Sequence, residues 1–139
     1  MKEARLWEWL RERLQSGHFT RVESDCSPGL PDVNYCVQRS EGWIELKAAK
    51  RATGTPFKTR GGLRPEQIRW INTHTAHGGV VWIIVSVGPS VHTLPGSLAD
   101  KFNGMTVEQW DNASHWTIKD RRKSTDSDFH QLSRLLRIR

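Results

Sequence analysis

Residues 80–87 read Val-Val-Trp-Ile-Ile-Val-Ser-Val, an almost unbroken apolar run rich in β-branched side chains. It is far shorter than the roughly 20 residues a helix needs to cross a bilayer. A run of this length and type is the pattern of a strand covered on both faces. The residues before it supply one cover. Pro65 opens a helix at a position that tolerates a missing amide hydrogen, Ile68, Trp70 and Ile71 give that helix an apolar side, and Gly78-Gly79 stop it near residue 77. A parallel pairing of the strand before this helix with the strand after it makes a standard crossover. The chain therefore reads as α/β, with helices flanking a sheet.

The other elements follow from periodicity. Residues 3–15 predict a helix, because Leu6, Trp7, Leu10 and Leu14 fall on one stripe and Gly17 can end it. At about 100° per residue Glu3 lies at the centre of that stripe, with Glu8 and Glu12 on the opposite side. A carboxylate on the buried face is costly unless a positive partner awaits it; otherwise Glu3 simply favours the helix N-terminus from the solvent. Residues 19–23 predict a short strand, and 27–31 (Ser-Pro-Gly-Leu-Pro) a turn. Strands are expected at 32–38 and 43–48, joined as a hairpin through 39–42. Residues 52–62, with Gly54, Pro56, Gly61 and Gly62 among threonines and cations, predict a mobile loop. Beyond residue 87, short helical turns are expected at 98–102 and 107–110, and Phe129, Leu132, Leu135 and Leu136 mark a last amphipathic helix. A length of 139 residues suits one domain, 1–139.

Composition narrows the class. With 36% hydrophobic and 26% charged residues, the chain departs from disordered sequences. Its first residues lead into a charged amphipathic stretch rather than a secretory segment. Cys26 and Cys36 form no disulfide framework or CxxC pair, so an intracellular, cytoplasmic protein with no membrane partner is the expectation. His74 and His77 are the one close histidine pair; a core-facing His74 and a solvent-facing His77 explain them more simply than a shared metal. The formal charge of +6 favours polyanionic partners. Lys47, Lys50, Arg51, Lys58, Arg60, Arg64 and Arg69 crowd a stretch whose acids are Glu45 and Glu66. A second cluster, Arg121, Arg122, Lys123, Arg134, Arg137 and Arg139, lies near the end of the sequence.

The chemistry is concentrated in Pro31-Asp32 and in Trp43-Ile44-Glu45-Leu46-Lys47. Strand side chains alternate, so Ile44 and Leu46 can fill the core while Glu45 and Lys47 share the other face. If Asp32 begins the neighbouring strand, its carboxylate stands close to that of Glu45. Two carboxylates so placed repel and take up protons unless a cation joins them. Mg²⁺ suits such a pair, being hard, oxygen-seeking and content with one or two carboxylates plus phosphate. Glu-x-Lys alone is a common solvated-strand pattern; the Pro-Asp thirteen positions upstream makes it specific.

Gly29-Leu30-Pro31-Asp32, Trp43-Ile44-Glu45-Leu46-Lys47 and Leu63-Arg64-Pro65-Glu66-Gln67 together resemble the PD-(D/E)XK nuclease superfamily, and most the compact VRR-NUC group and the phage Holliday-junction resolvases. The resemblance spans about residues 3–87, leaving 88–139 as a C-terminal elaboration. It implies a restriction-endonuclease-like mixed central sheet flanked by helices. It also implies metal ligation by Asp32 and Glu45, with the Glu45 or Leu46 backbone as a further contact, and a catalytic Lys47. The family's helix acid matches Glu3 best, with Glu8 as the fallback, and its helix glutamine falls on Gln67. One departure stands out: a small hydroxyl usually caps the second helix, and Arg64 replaces it here. Arginine offers no acceptor to the free amides, but it could grip a phosphate.

The resulting expectation is an Mg²⁺-dependent endonuclease, with Mn²⁺ able to substitute, acting on branched DNA and in particular on Holliday junctions. Lys50, Arg51, Lys58, Arg60 and Arg64 are the candidate phosphate contacts. Symmetric nicking of a four-way junction calls for a C₂ homodimer, for which Trp9, Trp110 and Trp116 could supply apolar contact area. The alternatives are a nuclease acting on ends, flaps or single strands, and a catalytically silent DNA-binding module.

Overall fold

The apolar run becomes the centre of a six-stranded sheet in the computed structural model, which describes residues 1–22 and 27–138. In chain order the elements are α1 (Glu3–Arg13), β1 (His18–Arg21), β2 (Val33–Val37), β3 (Ser40–Ala49), α2 (Pro65–Ala76), β4 (Val81–Val87), β5 (Ser90–Pro95), α3 (Ala99–Phe102), α4 (Val107–Ala113), β6 (Trp116–Ile118) and α5 (Asp126–Leu136). The strands lie side by side in sequence order. Only β3 and β4 are parallel, in register from Trp43 opposite Val81 to Ala49 opposite Val87; the other neighbours are antiparallel. This is the mixed, helix-flanked sheet of an α/β restriction-endonuclease-like fold.

Both faces of β4 are covered, as its composition requires. One layer packs α1 and α5 on Ile44, Leu46, Trp82 and Ile84. The other sets Ile71 of α2, Phe102 of α3 and Trp110 of α4 against Ile83, Val85 and Leu94. Alternate residues of the two central strands therefore feed separate cores, and Glu45 and Lys47 point into the second layer. Trp9, Trp110 and Trp116, expected as candidates for a dimer face, are buried within these two cores. Trp9 and Trp116 both meet the Phe129 ring edge-on, and Trp110 stacks on Phe102. Their area is spent inside the subunit.

One local expectation needs correction, and two stretches hold more than the sequence announced. The hairpin between β2 and β3 turns on Gln38 and Arg39, with φ of 45° and 71°, rather than through 39–42. Two residues in the left-handed region form the tight turn whose twist matches paired strands, and so β3 starts at Ser40. Residues 88–118 contain two further strands, β5 and β6; β5 hides in a polar sequence because His92 and Thr93 are buried there. Finally, the segment 52–62, expected as a mobile loop, is tied at several points to the residues around it. Phe57 is buried against Phe102 and Trp110, and the Val107 amide donates to Gly54 O at 2.9 Å. At the end of the segment the Asn103 side chain grips Leu63 from both sides, accepting from its N–H and donating to its C=O, each at 2.8 Å.

Cys36 is a free thiol; Cys26, Arg139 and the expected strand end at Glu23 lie outside the described residues. His74 is half-buried and stacks on Trp70, while His77 is exposed and bonds its own helix at Thr73 O. Among the described residues no helix is long and apolar enough to cross a membrane.

Candidate active site

The site forms where β2 and β3 diverge and α1 and α2 both begin. Val33 is the last β2 residue paired with β3, opposite Ile44. Asp32 precedes Val33 in the chain and lies just outside the ladder, and its Oδ2 accepts from the Leu46 N–H at 2.8 Å. On its other oxygen Asp32 meets the Arg21 guanidinium of β1 at 3.3 Å. Arg21 was not singled out in the sequence. The signal was there in principle, since an antiparallel β1 sets Arg21 opposite Val33, but the strand is too short for its register to be read from pattern.

Glu45 and Lys47 emerge on one face of β3, as alternation requires. Both are buried, Glu45 with 1% and Lys47 with 9% of its surface exposed. The Lys47 Nζ lies 3.6 Å from Glu45 Oε1 and 3.7 Å from Glu3 Oε1, and donates to Gln67 Oε1 at 3.2 Å. Gln67 in turn donates from Nε2 to Glu45 Oε1 at 3.3 Å. Four of the five residues named from sequence thus form one connected polar cluster, and Asp32 adjoins it through Glu45. Glu3 enters because the first turn of α1 overhangs the end of β3; Glu8 points to solvent on the far side of α1.

Gln67 has a second task. Its Oε1 also accepts from the Arg64 N–H at 2.9 Å, which ties the α2 N-terminus to the cluster. This is the half of a capping box that satisfies the cap residue's own amide, not the acceptor that a small hydroxyl would offer to the first free amides of α2. The Arg64 guanidinium instead pairs with Glu66 at 3.1 Å. Of the other candidate phosphate contacts, Arg51 bonds Thr55 O at 3.0 Å. Lys50, Lys58 and Arg60 are exposed.

The electrostatics centre on Glu45. Its pKa is pushed up to about 9. Burial is the main cause, the Asp32 carboxylate raises it further by charge and by a side-chain hydrogen bond, and Lys47 only partly opposes them. Its Oε2 is buried and receives no hydrogen bond from a protein N–H or O–H donor, so a link to Asp32 exists only while the two carboxylates share a proton. An acceptor left in this condition costs about 1–3 kcal/mol or more. A proton shared with Asp32 would relieve it, and so would a cation. The donor set, two adjacent carboxylates with a buried free oxygen, fits a hard divalent ion of the Mg²⁺ type. No group of three or more His, Cys, Asp or Glu side chains is assembled for a metal among the described residues. Lys47 stands between Glu3 and Glu45, so any ion here is held chiefly by Asp32 and Glu45, with water or substrate completing its shell.

Comparison with known protein families returns no match, and comparison with curated proteins likewise returns none. Among solved structures the chain is similar to a VRR_NUC domain, with 21% identity and a TM-score of 0.48 over 63% of this chain and 86% of that one. It is also similar to Hjc, a Holliday junction resolvase from the archaeal hyperthermophile Archaeoglobus fulgidus, with 17% identity and a TM-score of 0.47 over 69% of this chain and 77% of that one.

Proposed function

We propose that the protein is a metal-dependent nuclease that hydrolyses phosphodiester bonds in DNA, with Asp32, Glu45, Lys47, Glu3 and Gln67 as its working residues. One observation carries the reading: a buried, partnerless carboxylate oxygen on Glu45 sits beside a second carboxylate and on the same residue as an oxygen facing a buried ammonium. A structural role alone gives no reason to bury that combination, because each unsatisfied member destabilises the fold.

Asp32 and Glu45 would hold Mg²⁺, or Mn²⁺ in its place, with Glu3 reaching the ion or its water across Lys47. When bound, the ion would polarise a phosphoryl oxygen and lower the pKa of a coordinated water. The protein does the rest by position. The Leu46 amide fixes the Asp32 carboxylate, and Gln67 fixes both Glu45 and Lys47. Lys47, drawn from its acidic neighbours toward a bound phosphate, orients the attacking water and balances the negative charge that grows on phosphorus. Preorganised charge of this kind is usually the largest catalytic contribution. Lys50, Lys58 and Arg60 lie on the segment next to the cluster, where they can meet neighbouring phosphates, and Arg51 and Arg64 would first leave their present partners.

Branched DNA is the proposed substrate, with a C₂ homodimer supplying two sites when the branch is a four-way junction. A nuclease acting on ends or flaps is the alternative within the same chemistry. A silent DNA-binding module is favoured by one specific observation, the pairing of Lys47 with both Glu3 and Glu45 without any group of three metal-ligating side chains among the described residues. The test is incubation of the protein with synthetic junction, flap and linear duplexes, with Mg²⁺ or with EDTA. Paired nicks across the junction that need Mg²⁺ are expected. Shortening from ends selects the alternative substrate, and intact strands bound equally in EDTA overturn the nuclease reading.

A further inference from the structure

Beside Lys47 the structure opens a cavity of about 480 Å³, within the roughly 300–1,000 Å³ of sites that take small organic groups. Its rim is cationic. Lys2, Lys50 and Arg60 line it, and none of these three side chains has an ion-pair or hydrogen-bond partner among the described residues. Arg21, Arg64 and Arg122, by contrast, each pair with a carboxylate. The one acid in the lining, Glu3, is already committed to Lys47.

The floor has the opposite character. Pro56 and the small part of Phe57 that stays exposed form it; the rest of the Phe57 ring packs on Phe102 and Trp110 at centroid distances of 5.7 and 5.6 Å. One wall is bare backbone at Gly61 and Gly62, both with positive φ. At Gly62 a side chain is also excluded by contact, since a Cβ would fall 2.2 Å from Asn103 Oδ1. Through the Asn103 clamp on Leu63, this wall stands ready before any ligand arrives.

Free cations around a rigid apolar floor match a ligand with a flat hydrophobic ring and an attached anion. Given the proposed action on DNA, on which this inference rests for its ligand class, we infer that the cavity is a nucleotide subsite. It seats one unpaired base of the substrate strand over Pro56 and Phe57, while the flanking phosphates meet Lys2, Lys50 and Arg60. A base in an intact duplex is stacked inward and cannot reach the floor; it must be unpaired already or be turned out of the stack. The subsite therefore selects for helical disruption next to the scissile bond, independently of base identity.

The test is equilibrium binding in EDTA and at fixed salt, comparing a thymidine oligonucleotide with an abasic strand of equal length and charge. Base stacking on an apolar platform predicts about tenfold tighter binding of the thymidine strand. Equal affinities for the two strands overturn the inference, and this comparison on the unaltered protein depends on no variant folding. Ala48→Leu fills the cavity from the end of β3. It is expected to abolish the preference for bases while leaving abasic affinity in place; a preference that survives in the folded variant also overturns the inference. Lys50→Ala with Arg60→Ala should weaken both strands and flatten the salt dependence. Failure of the nuclease reading has a different signature: the base preference persists, but Mg²⁺ cuts no substrate.

Discussion

Glu45 brings the folding problem and the proposed chemistry into one side chain. Its carboxyl titrates at about 9 in the folded protein, against about 4.5 when solvated. The folded state therefore holds a proton that the unfolded state releases in that window. Stability from this source is complete below the unfolded value and declines as pH rises toward the folded one. Glu45→Gln removes the titration while keeping the shape. Without divalent metal at pH 8, a Tm higher by several degrees is expected by calorimetry, the gain shrinking toward pH 5; an unchanged or lower Tm at pH 8 would show that the buried acid is already compensated. Asp32→Asn should end cleavage with DNA affinity retained, as gel shift and nicking assays run side by side would reveal. Lys47→Ala should slow cleavage by about 10²-fold or more, whereas a loss below about threefold would leave Lys47 as bystander charge. Glu3→Gln is expected to impair turnover and Glu8→Gln to leave it intact, in keeping with the 3.7 Å approach of Glu3 to Lys47; impairment of the second variant alone would reverse that assignment.

At the scale of elements, legibility followed the strength of periodic signals. The Ile44/Leu46 and Glu45/Lys47 alternation, the Pro65 helix start and the apolar β4 run each have a single physical reading, and the structure places these elements accordingly. Of the residues proposed for the site, Glu45, Lys47 and Gln67 could be placed from sequence because they sit on those elements, while Glu3 lies on α1 and Asp32 just outside β2. What escaped was set by partners remote in sequence. β5 carries His92 and Thr93 into the interior, so it lacks the apolar pattern of its neighbour. The segment 52–62 has the composition of a mobile loop, yet Phe57 and the Asn103 clamp forty residues away hold it down. Arg21 reaches Asp32 through a four-residue strand whose register no pattern announces. Asn103→Ala would leave the Leu63 N–H and C=O without these partners. A loss of about 1–3 kcal/mol in urea unfolding is expected, together with new protease sensitivity within 52–62; an unchanged proteolysis pattern would mean that Phe57 alone anchors the segment.

At the scale of the molecule, two cores lie on either side of one sheet, and Trp9, Trp110 and Trp116 are used up within them, whereas Trp43 and Trp70 stay partly exposed. Self-association, if a junction is the substrate, must then draw on other surface. Sedimentation equilibrium is expected to show a dimer alongside paired junction nicks, and a strict monomer would instead favour cutting at flaps or ends. The strand order carries a separate consequence. β1–β3 form one antiparallel meander and β4–β6 another, joined along the β3–β4 seam and linked covalently only by the 50–80 excursion. Severing the chain at the exposed Thr59 would yield two pieces, one bearing Asp32, Glu45 and Lys47 and the other bearing Gln67. Neither piece holds the whole of the proposed centre, so if the nuclease reading holds, the two halves, mixed, would be a split reporter whose signal returns only on reassembly.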